Sequence, residues 1–349
     1  MIQAREHRPA GEVPALSAEE LRAALASADV AHRAATVVGY GYMGQQFVKA
    51  LQILGVGRIR VCARSEEKLA GLRGMPGVTT LAGGVDRLDV TPEPEEVAIV
   101  ATPTEILAAA TERLVALGYR TLLIEKPVAL YADRILRLAD HLERHGAAAW
   151  CAYNRVAYPS FHEVRARVRQ EGGITSCTYT FTEFIHRIDT AQFPREELAR
   201  WGIANSLHVM SMAHGLIGLP ARWSAHRAGS LPWHPAGAVF VGSGVSDRDV
   251  PFSYHADWGS TGRWSVEVHT PVSSYRLCPL EQALRRTSAT GDWEEIAVAT
   301  FASEVKVGVA EEVAAILSPD LGRFIPLVSL RDAAALTRYA ESIFGYDAR

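Results

Sequence analysis

The sequence predicts an α/β protein in two parts: a doubly wound parallel sheet, then an α+β unit whose sheet is antiparallel or mixed. Apolar runs alternate with amphipathic stretches through the first 150 residues, as in strands joined by helical crossovers. A glycine-rich turn at residues 39–44 separates the first apolar run from the next stretch. After Asn154 the chain changes to short runs separated by turn residues, which favours antiparallel pairing.

The first part begins with a short helix ahead of its strands. Ser17 and Glu20 have the spacing of a capping box and predict a helix over residues 17–28. A continuously apolar run after residue 95 is typical of a strand buried on both faces. The predicted strands are AATVV, RIRVCARS, EEVAIVATP, RTLLIEKP and AAAWCAY. The later helices are QQFVKALQIL, TEILAAATERLVALG and YADRILRLADHLERHG.

The second part is expected to place a sheet among several helices. The predicted helices are PSFHEVRARVRQEG, a stretch over residues 196–217, and the closing GVAEEVAAILS and LRDAAALTRYAESIFG. The predicted strands are ITSCTYTFTEF, RWSAHRAGS, AGAVFVGSG, PFSYHADW, RWSVEVHT and SSYRLCP. We therefore expect a first domain at residues 1–150, with an N-terminal helical extension over 1–34, and a second domain at 151–349.

Composition argues against several classes of protein. The 349 residues are 48% hydrophobic and 21% charged, as in an ordinary globular protein with a substantial core. A net charge of −3 and a pI of about 6.5 provide no basic surface for nucleic acid or membrane. No apolar run approaches the roughly 20 residues of a membrane span, and the charged N-terminus predicts no signal peptide. Four widely spaced cysteines without a CxxC pair favour free thiols, so we expect a cytoplasmic protein.

Gly39, Gly41 and Gly44 form GxGxxG in VVGYGYMG, after an apolar strand and at the start of a helix. In that context the first glycine permits the tight turn and the second lets the backbone approach a pyrophosphate. The third lets the helix pack closely on the strand. The helix N-terminus then offers free N–H groups and a partial positive charge to the phosphates. The sequence therefore predicts a dinucleotide site that includes Tyr42 and Met43.

The end of the second strand is expected to select the cofactor. An acid about 20 residues after the glycines would hold the ribose 2′-hydroxyl, but this sequence has Arg64 and Ser65 there. A guanidinium suits a 2′-phosphate by its charge and its fork of donors. We therefore predict NADP(H) in preference to NAD(H). The alternative is that Arg64 stacks on adenine or is a solvated surface charge.

Three further motifs follow in order: ATPTEI at 101–106, EKP at 125–127 and YNR at 153–155. Together with the glycine-rich turn they resemble the glucose–fructose oxidoreductase / inositol dehydrogenase / rhizopine catabolism family, Gfo/Idh/MocA, over most of the chain. The resemblance implies a Rossmann domain followed by a domain with a large open, mostly antiparallel sheet. Such a sheet commonly forms the face of a homodimer or homotetramer. The resemblance also implies hydride transfer, with NAD or NADP, at a carbinol or ketone of sugars and cyclitols.

In that family the lysine of EKP sits between nicotinamide and substrate, and Lys126 is its match here. Its ammonium could hydrogen-bond the substrate oxygen and stabilise a developing alkoxide. Partial burial would lower the pKa of Lys126 toward that of a proton donor or relay. Glu125 is expected to shape the turn beside the cofactor. Thr102 and Pro103 follow a strand end where open α/β sheets bind ligands, so we expect them along the cofactor.

The resemblance also places His208 at the family's histidine position, in WGIANSLHVMSMAHGLIG. The family usually has an aspartate four residues earlier and often another three residues later, but these positions are Ala204 and Ser211. Asn205, one turn before His208, can fix its tautomer or bind substrate, but it supplies no charge. One interpretation makes His208 the acid/base, assisted by Asn205 and Lys126. In another, Lys126 or a water carries the proton and His208 only binds; in a third, His208 is a core histidine.

Other residues are expected around the substrate. Asn154 and Arg155 match the start of the family's substrate domain, where Arg155 either contacts substrate or forms a structural ion pair. Trp201 could stack on the apolar face of a sugar ring. Weaker candidates for lining the pocket are Tyr153, Glu183 and His186. His214 should point away from His208 and is interpreted as structural, and no metal site is expected because the pair lacks i,i+4 spacing.

Three functions are compatible with the sequence. The leading hypothesis is an NADP-dependent reductase or dehydrogenase acting on a hydroxyl or keto group of a sugar, nucleotide sugar or cyclitol. A cofactor-binding sensor without turnover is motivated by the missing acid, although Lys126 and His208 are retained. An imine reductase is the third, because an imine nitrogen also needs a proton.

Overall fold

The computed structural model describes residues 14–347, which two β-sheets and their flanking helices organise. The first part alternates strands and helices as predicted. Its strands are β1 (Ala34–Val38), β2 (Arg58–Ala63), β3 (Val78–Ala82), β4 (Val97–Val100), β5 (Thr121–Glu125) and β6 (Ala148–Ala152). Its helices are α1 (Ala18–Ala26), α2 (Tyr42–Ile53), α3 (Glu66–Leu69), α4 (Thr104–Leu117) and α5 (Ala132–Arg144).

These six strands form a parallel sheet in the order β3-β2-β1-β4-β5-β6, which is the Rossmann order. The chain builds outward from β1 to β3 and then returns to place β4 on the other side of β1. The carboxyl ends of β1 and β4 therefore flank the switch point at which such sheets bind ligands. A seventh strand, β15 (Val328–Ser329), pairs antiparallel with β6, so residues late in the chain extend the first sheet.

The second sheet has eight strands, and neighbouring strands are antiparallel except for β7 and β10. These strands are β7 (Ser176–Phe181), β8 (Pro220–Ala228), β9 (Val239–Ser246), β10 (Pro251–Asp257), β11 (Trp264–His269), β12 (Ser274–Leu277), β13 (Ala283–Arg286) and β14 (Glu294–Ile296). Their order in the sheet is β14-β13-β12-β11-β7-β10-β9-β8. The predicted fold class, a parallel sheet followed by a large, mostly antiparallel one, is confirmed.

The remaining helices join the two sheets. They are α6 (Pro159–Gln170), α7 (Arg195–Ala199), α8 (Leu207–Ile217), α9 (Val309–Leu317), α10 (Pro319–Gly322) and α11 (Leu330–Phe344). Helix α8 lies between the second sheet and other helices, so nearly all of its side chains are buried. Helix α9 packs against α2, and α11 packs against both α5 and β8. The C-terminal helices therefore contact both parts of the molecule.

Local differences from the prediction have simple causes. The sequence does not predict β3 or β14, because both lie at sheet edges and their side chains are partly or fully exposed. It also does not predict β13 or the two-residue β15. The predicted helical stretch over 196–217 is divided by a π-helix, Gly202–Ser206. The capping box of Ser17 and Glu20 is present as predicted.

The four cysteines are free thiols, three of them buried. Within residues 14–347, no helix has the length and apolar character needed to cross a membrane. In the same range, no group of three or more histidine, cysteine, aspartate or glutamate side chains is placed to hold a metal ion.

Candidate active site

The glycine-rich turn connects β1 to α2, and its three glycines have different surroundings. Gly39 has a φ of +97°, and a Cβ there would lie 2.2 Å from the carbonyl oxygen of Ala101. A Cβ on Gly44 would lie 2.1 Å from the carbonyl oxygen of Gly39. A Cβ on Gly41 would meet no atom within 4 Å. Packing therefore requires the first and third glycines, whereas the second faces open space at the N-terminus of α2.

The surroundings of Gly39 and Gly41 predict that a methyl group added at the first lowers fold stability and one added at the second weakens cofactor binding. Gly39→Ala should destabilise the fold by more than about 2 kcal/mol, because its φ and the Ala101 carbonyl both oppose a side chain. Gly41→Ala should cost less than about 1 kcal/mol but weaken dinucleotide binding, because the methyl group occupies the open space. Denaturant unfolding and cofactor titration measure the two effects. Unchanged dinucleotide affinity in Gly41→Ala would exclude the turn as the pyrophosphate site.

The end of β2 presents an available cation. Arg64 is exposed, and its guanidinium makes no hydrogen bond or ion pair among residues 14–347. Ser65 occupies the N-cap position of α3 without a side-chain hydrogen bond. The next residue, Glu66, forms an ion pair with Arg73. The carboxylate nearest to Arg64 in sequence therefore already has a cationic partner.

The ends of β4 and β5 place buried polar atoms near the switch point. Thr102 and Pro103 lead from β4 into α4, and Thr102 Oγ1 is buried without a hydrogen-bond partner among the described residues. Glu125 ends β5, and its Oε2 is also buried without a partner in that range. Burial raises the pKa of Glu125, although the neighbouring ammonium of Lys126 opposes this. These atoms are available to a ligand at the carboxyl edge of the sheet.

Lys126 follows Glu125, and its side chain reaches the second part of the molecule. Its Nζ donates a hydrogen bond of 2.8 Å to the carbonyl oxygen of Ala204. Burial lowers the pKa of Lys126; the Glu125 carboxylate opposes this shift, and the Arg155 guanidinium adds to it. An ammonium has three N–H donors, so this single hydrogen bond leaves donors for a substrate oxygen.

His208 lies at the start of α8, and its nearest polar partner is a cation. Arg155 Nη1 is 3.1 Å from each ring nitrogen of His208 and donates a 2.7 Å hydrogen bond to Asn154 Oδ1. The rings of Tyr153 and Trp264 lie near the imidazole, with centroids 6.2 and 6.1 Å away. Burial, reinforced by the charge of Arg155, lowers the pKa of His208 well below its usual value. The imidazole is therefore neutral at pH 7.

A buried carboxylate does lie near the stretch that lacks the aspartate. Glu183, just after β7, accepts hydrogen bonds from Asn205 Nδ2 at 2.8 Å and from Ser206 Oγ at 2.6 Å. Both donors belong to the π-helix, so the carboxylate fixes this segment and does not contact the imidazole of His208. The Nδ2 of Asn205 thus donates to Glu183, and the hydrogen bonds of His208 among the described residues are to Arg155. The role of Asn205 in fixing the His208 tautomer stays a prediction.

The other predicted residues occupy different surroundings. Asn154 is buried, and its Nδ2 donates to the carbonyl oxygen of Val307 at 2.7 Å. Trp201 is buried edge-on against neighbouring rings, and its Nε1 has no partner among the described residues. His186 is exposed. His214 lies within the core, where its Nδ1 is 2.8 Å from the carbonyl oxygen of Gly218, in agreement with a structural role.

Sequence reasoning missed Lys306, which the structure brings to the same region. Its backbone N–H donates to Gln46 Oε1 at 2.7 Å, and its Nζ is 3.9 Å from the sulfur of Met43. Burial lowers the pKa of Lys306 to about 8, with Arg155 contributing. Lys306 belongs to no motif, so only the packing of its segment beside α2 identifies it.

Comparisons of the sequence with known proteins find similarity to oxidoreductases over part of the chain. A family model described as "Oxidoreductase family, NAD-binding Rossmann fold" (GFO_IDH_MocA) matches residues 33–153. A curated relative, myo-inositol dehydrogenase Hyg17 from Streptomyces leeuwenhoekii, is 32% identical over 135 residues. That match covers 38% of this chain and 39% of the relative, so it spans well under half of either protein.

Solved structures resemble nearly the whole fold. An oxidoreductase from Agrobacterium radiobacter, in complex with NAD+, L-tartaric acid and magnesium, has a TM-score of 0.71 at 14% identity. Levoglucosan dehydrogenase in complex with NADH has a TM-score of 0.70, also at 14% identity. Each match covers 90% of this chain and 96% of the other. UDP-N-acetylglucosamine 3-dehydrogenase GnnA from Acidithiobacillus ferrooxidans has a TM-score of 0.65 at 13% identity, over 90% and 97%. At these identities the likeness establishes the fold alone.

Proposed function

We propose that the chain is an NADP(H)-dependent oxidoreductase of sugar-like substrates in the Gfo/Idh/MocA family, whose model matches residues 33–153. It would transfer a hydride to or from a carbinol or ketone of a sugar, nucleotide sugar or cyclitol. The observation that carries this proposal is the half-buried ammonium of Lys126, fixed to the Ala204 carbonyl beside the switch point of the parallel sheet. The names of the relatives, which include dehydrogenases of inositol, levoglucosan and a nucleotide sugar, support a sugar-like substrate.

The residues at the switch point fit a dinucleotide. The open space over Gly41 and the N-terminus of α2 suit a pyrophosphate, since that helix end offers unpaired N–H groups. When bound, NADP(H) supplies or accepts the hydride. The residues proposed to hold it are Gly39, Gly41, Tyr42, Met43, Gly44, Arg64, Ser65, Thr102, Pro103, Glu125 and Lys126.

Lys126 has the better chemistry for moving the proton. Reduction of a ketone adds a hydride to carbon and a proton to oxygen, and the Lys126 ammonium can donate that proton to the oxygen. The neutral imidazole of His208 has no imidazolium proton to give at pH 7. We therefore favour His208 as a group that orients the substrate. Arg155 holds the ring of His208, and Asn154 in turn holds Arg155.

The preference for NADP(H) predicts a selective effect at Arg64. Arg64→Ala should weaken NADPH binding about 10- to 100-fold, the contribution of hydrogen bonds to a charged group, with little change for NADH. Dissociation constants from nicotinamide fluorescence measure both. Arg58→Ala is a matched control, because Arg58 is an exposed arginine at the opposite end of the same strand, paired with Glu93. Equal binding of both cofactors by the wild type, or an unaltered ratio in Arg64→Ala, would contradict the assignment.

The activity itself is tested with purified protein, NADPH and a panel of keto-sugars, and with NADP+ and the corresponding polyols. Substrate-dependent change in nicotinamide absorbance is the expected result.

A second candidate is a cofactor-binding sensor that has lost turnover. It is favoured because no carboxylate contacts the imidazole of His208 among the described residues. Tight NADPH binding with no absorbance change on the whole panel would support that sensor and contradict the enzyme.

A further inference from the structure

Three cationic side chains from separate segments converge on the proposed substrate site. Lys126 is held at the Ala204 carbonyl, one turn before His208, and the imidazole of His208 contacts Arg155. Lys306 lies near Arg155, because the carbonyl oxygen of the next residue, Val307, accepts a hydrogen bond from Asn154. A Cβ on Gly308 would lie 2.2 Å from the Asn154 carbonyl oxygen, so the segment after Lys306 is in close contact with the segment before Arg155.

None of the three cations is neutralised by an ion pair. Among residues 14–347, no carboxylate oxygen lies within 4.0 Å of the charged nitrogens of Lys126, Arg155 or Lys306. Arg155 Nε is buried without a partner, and the recorded contact of Lys306 Nζ is a thioether sulfur. Charges that are partly removed from water without a counter-charge are costly. A bound anion would offset that cost.

The nearby carboxylates do not supply this balance. Glu125 Oε2 and Glu312 Oε1 are buried, and neither has a hydrogen-bond partner among the described residues. Burial raises the pKa of both side chains, and their mutual proximity adds to the shift of Glu312. Burial therefore disfavours the charged forms of both acids, although the neighbouring cations oppose this, and neither acid forms an ion pair with the three cations.

We propose that the substrate carries a carboxylate, as a uronic or aldonic sugar acid does, and that Arg155 and Lys306 bind it. Arg155 uses only Nη1 in its hydrogen bonds to described residues, so donors of its planar fork remain for a carboxylate. Lys306 adds a second positive charge from the side of α2. Lys126 remains free to act at the reacting oxygen. This inference rests on the proposed hydride transfer at Lys126.

The test compares hexose and hexuronate pairs, such as D-glucose with D-glucuronate and D-galactose with D-galacturonate. In the presence of NADPH, the hexuronate should bind the wild type at least about tenfold more tightly than its hexose, by calorimetry. Lys306→Gln should reduce this preference roughly 10- to 100-fold, as expected for loss of a charge-assisted hydrogen bond, and Lys306→Arg should retain it. Lys49→Gln is the matched control, because Lys49 donates to the nearby Glu304 carbonyl outside the cluster.

The outcomes separate this inference from the proposed activity. Hexuronate binding that depends on Lys306, without turnover in either direction, would support the anion site and contradict the oxidoreductase. Turnover of hexoses without preference for hexuronates would support the oxidoreductase and overturn the anion site. If Lys306→Gln weakens NADPH binding and leaves the hexuronate preference unchanged, the cation serves the cofactor pyrophosphate, which also overturns the inference.

Discussion

Replacing Lys126 with alanine is expected to lower kcat for reduction roughly 100- to 1,000-fold, as loss of a donor to a developing oxyanion does in other enzymes. Lys126 is a half-buried ammonium with one backbone partner, so its remaining N–H donors can serve the substrate oxygen. The alanine variant removes the charge and the proton together. Steady-state kinetics give kcat, and thermal unfolding of the same preparation shows whether the variant remains folded.

Lys126→Arg separates the two roles of the ammonium. A guanidinium keeps the positive charge but holds its proton at all accessible pH values. If proton donation dominates, the arginine variant should be nearly as slow as alanine. If charge dominates, it should recover much of the rate. A folded alanine variant with wild-type kcat would remove Lys126 from the chemistry.

The parallel sheet could be predicted because its strands are continuously apolar and because glycines stand at the ends of its helices. The turn and packing roles of Gly39 and Gly44 followed from their spacing, and the crowded surroundings of both glycines agree with those roles. The approach of Gly41 to a pyrophosphate stays a prediction. The edge strands β3 and β14 were not predicted because they lack a continuous apolar pattern. β3 is a half-exposed edge strand without an apolar pattern, so its residues resemble a loop.

The site was less predictable wherever it depends on distant packing. Lys306 is a single lysine late in the chain, and nothing in its local sequence indicates that α9 brings it beside the glycine-rich turn. Glu183 was a weak candidate for the same reason. The absence of an aspartate at Ala204 is visible in the sequence, but the Glu183 carboxylate that fixes the adjacent segment is visible only in the fold.

Replacing His208 with alanine should lower kcat/KM for reduction about 10- to 100-fold, mainly by raising KM. The neutral ring can exchange hydrogen bonds with a substrate hydroxyl, and it lies between Arg155 and the aromatic rings of Tyr153 and Trp264. Its loss removes an orienting contact but leaves the ammonium of Lys126 in place. The separate effects on kcat and KM distinguish this role from proton donation, which would appear mainly in kcat.

The pH dependence of kcat is a stricter test of whether Lys126 or His208 donates the proton. In the proposed mechanism Lys126 donates the proton, so the rate of reduction should fall as the pH rises through the pKa of Lys126, which burial sets below the ordinary lysine value. His208→Ala should retain this falling limb. Ala204→Asp adds a carboxylate to the residue whose carbonyl binds Lys126, four residues before His208, so it should raise the pKa of both groups and move the limb to higher pH. If His208→Ala instead abolishes kcat and removes the falling limb, His208 is the proton donor, and Lys126 only stabilises charge.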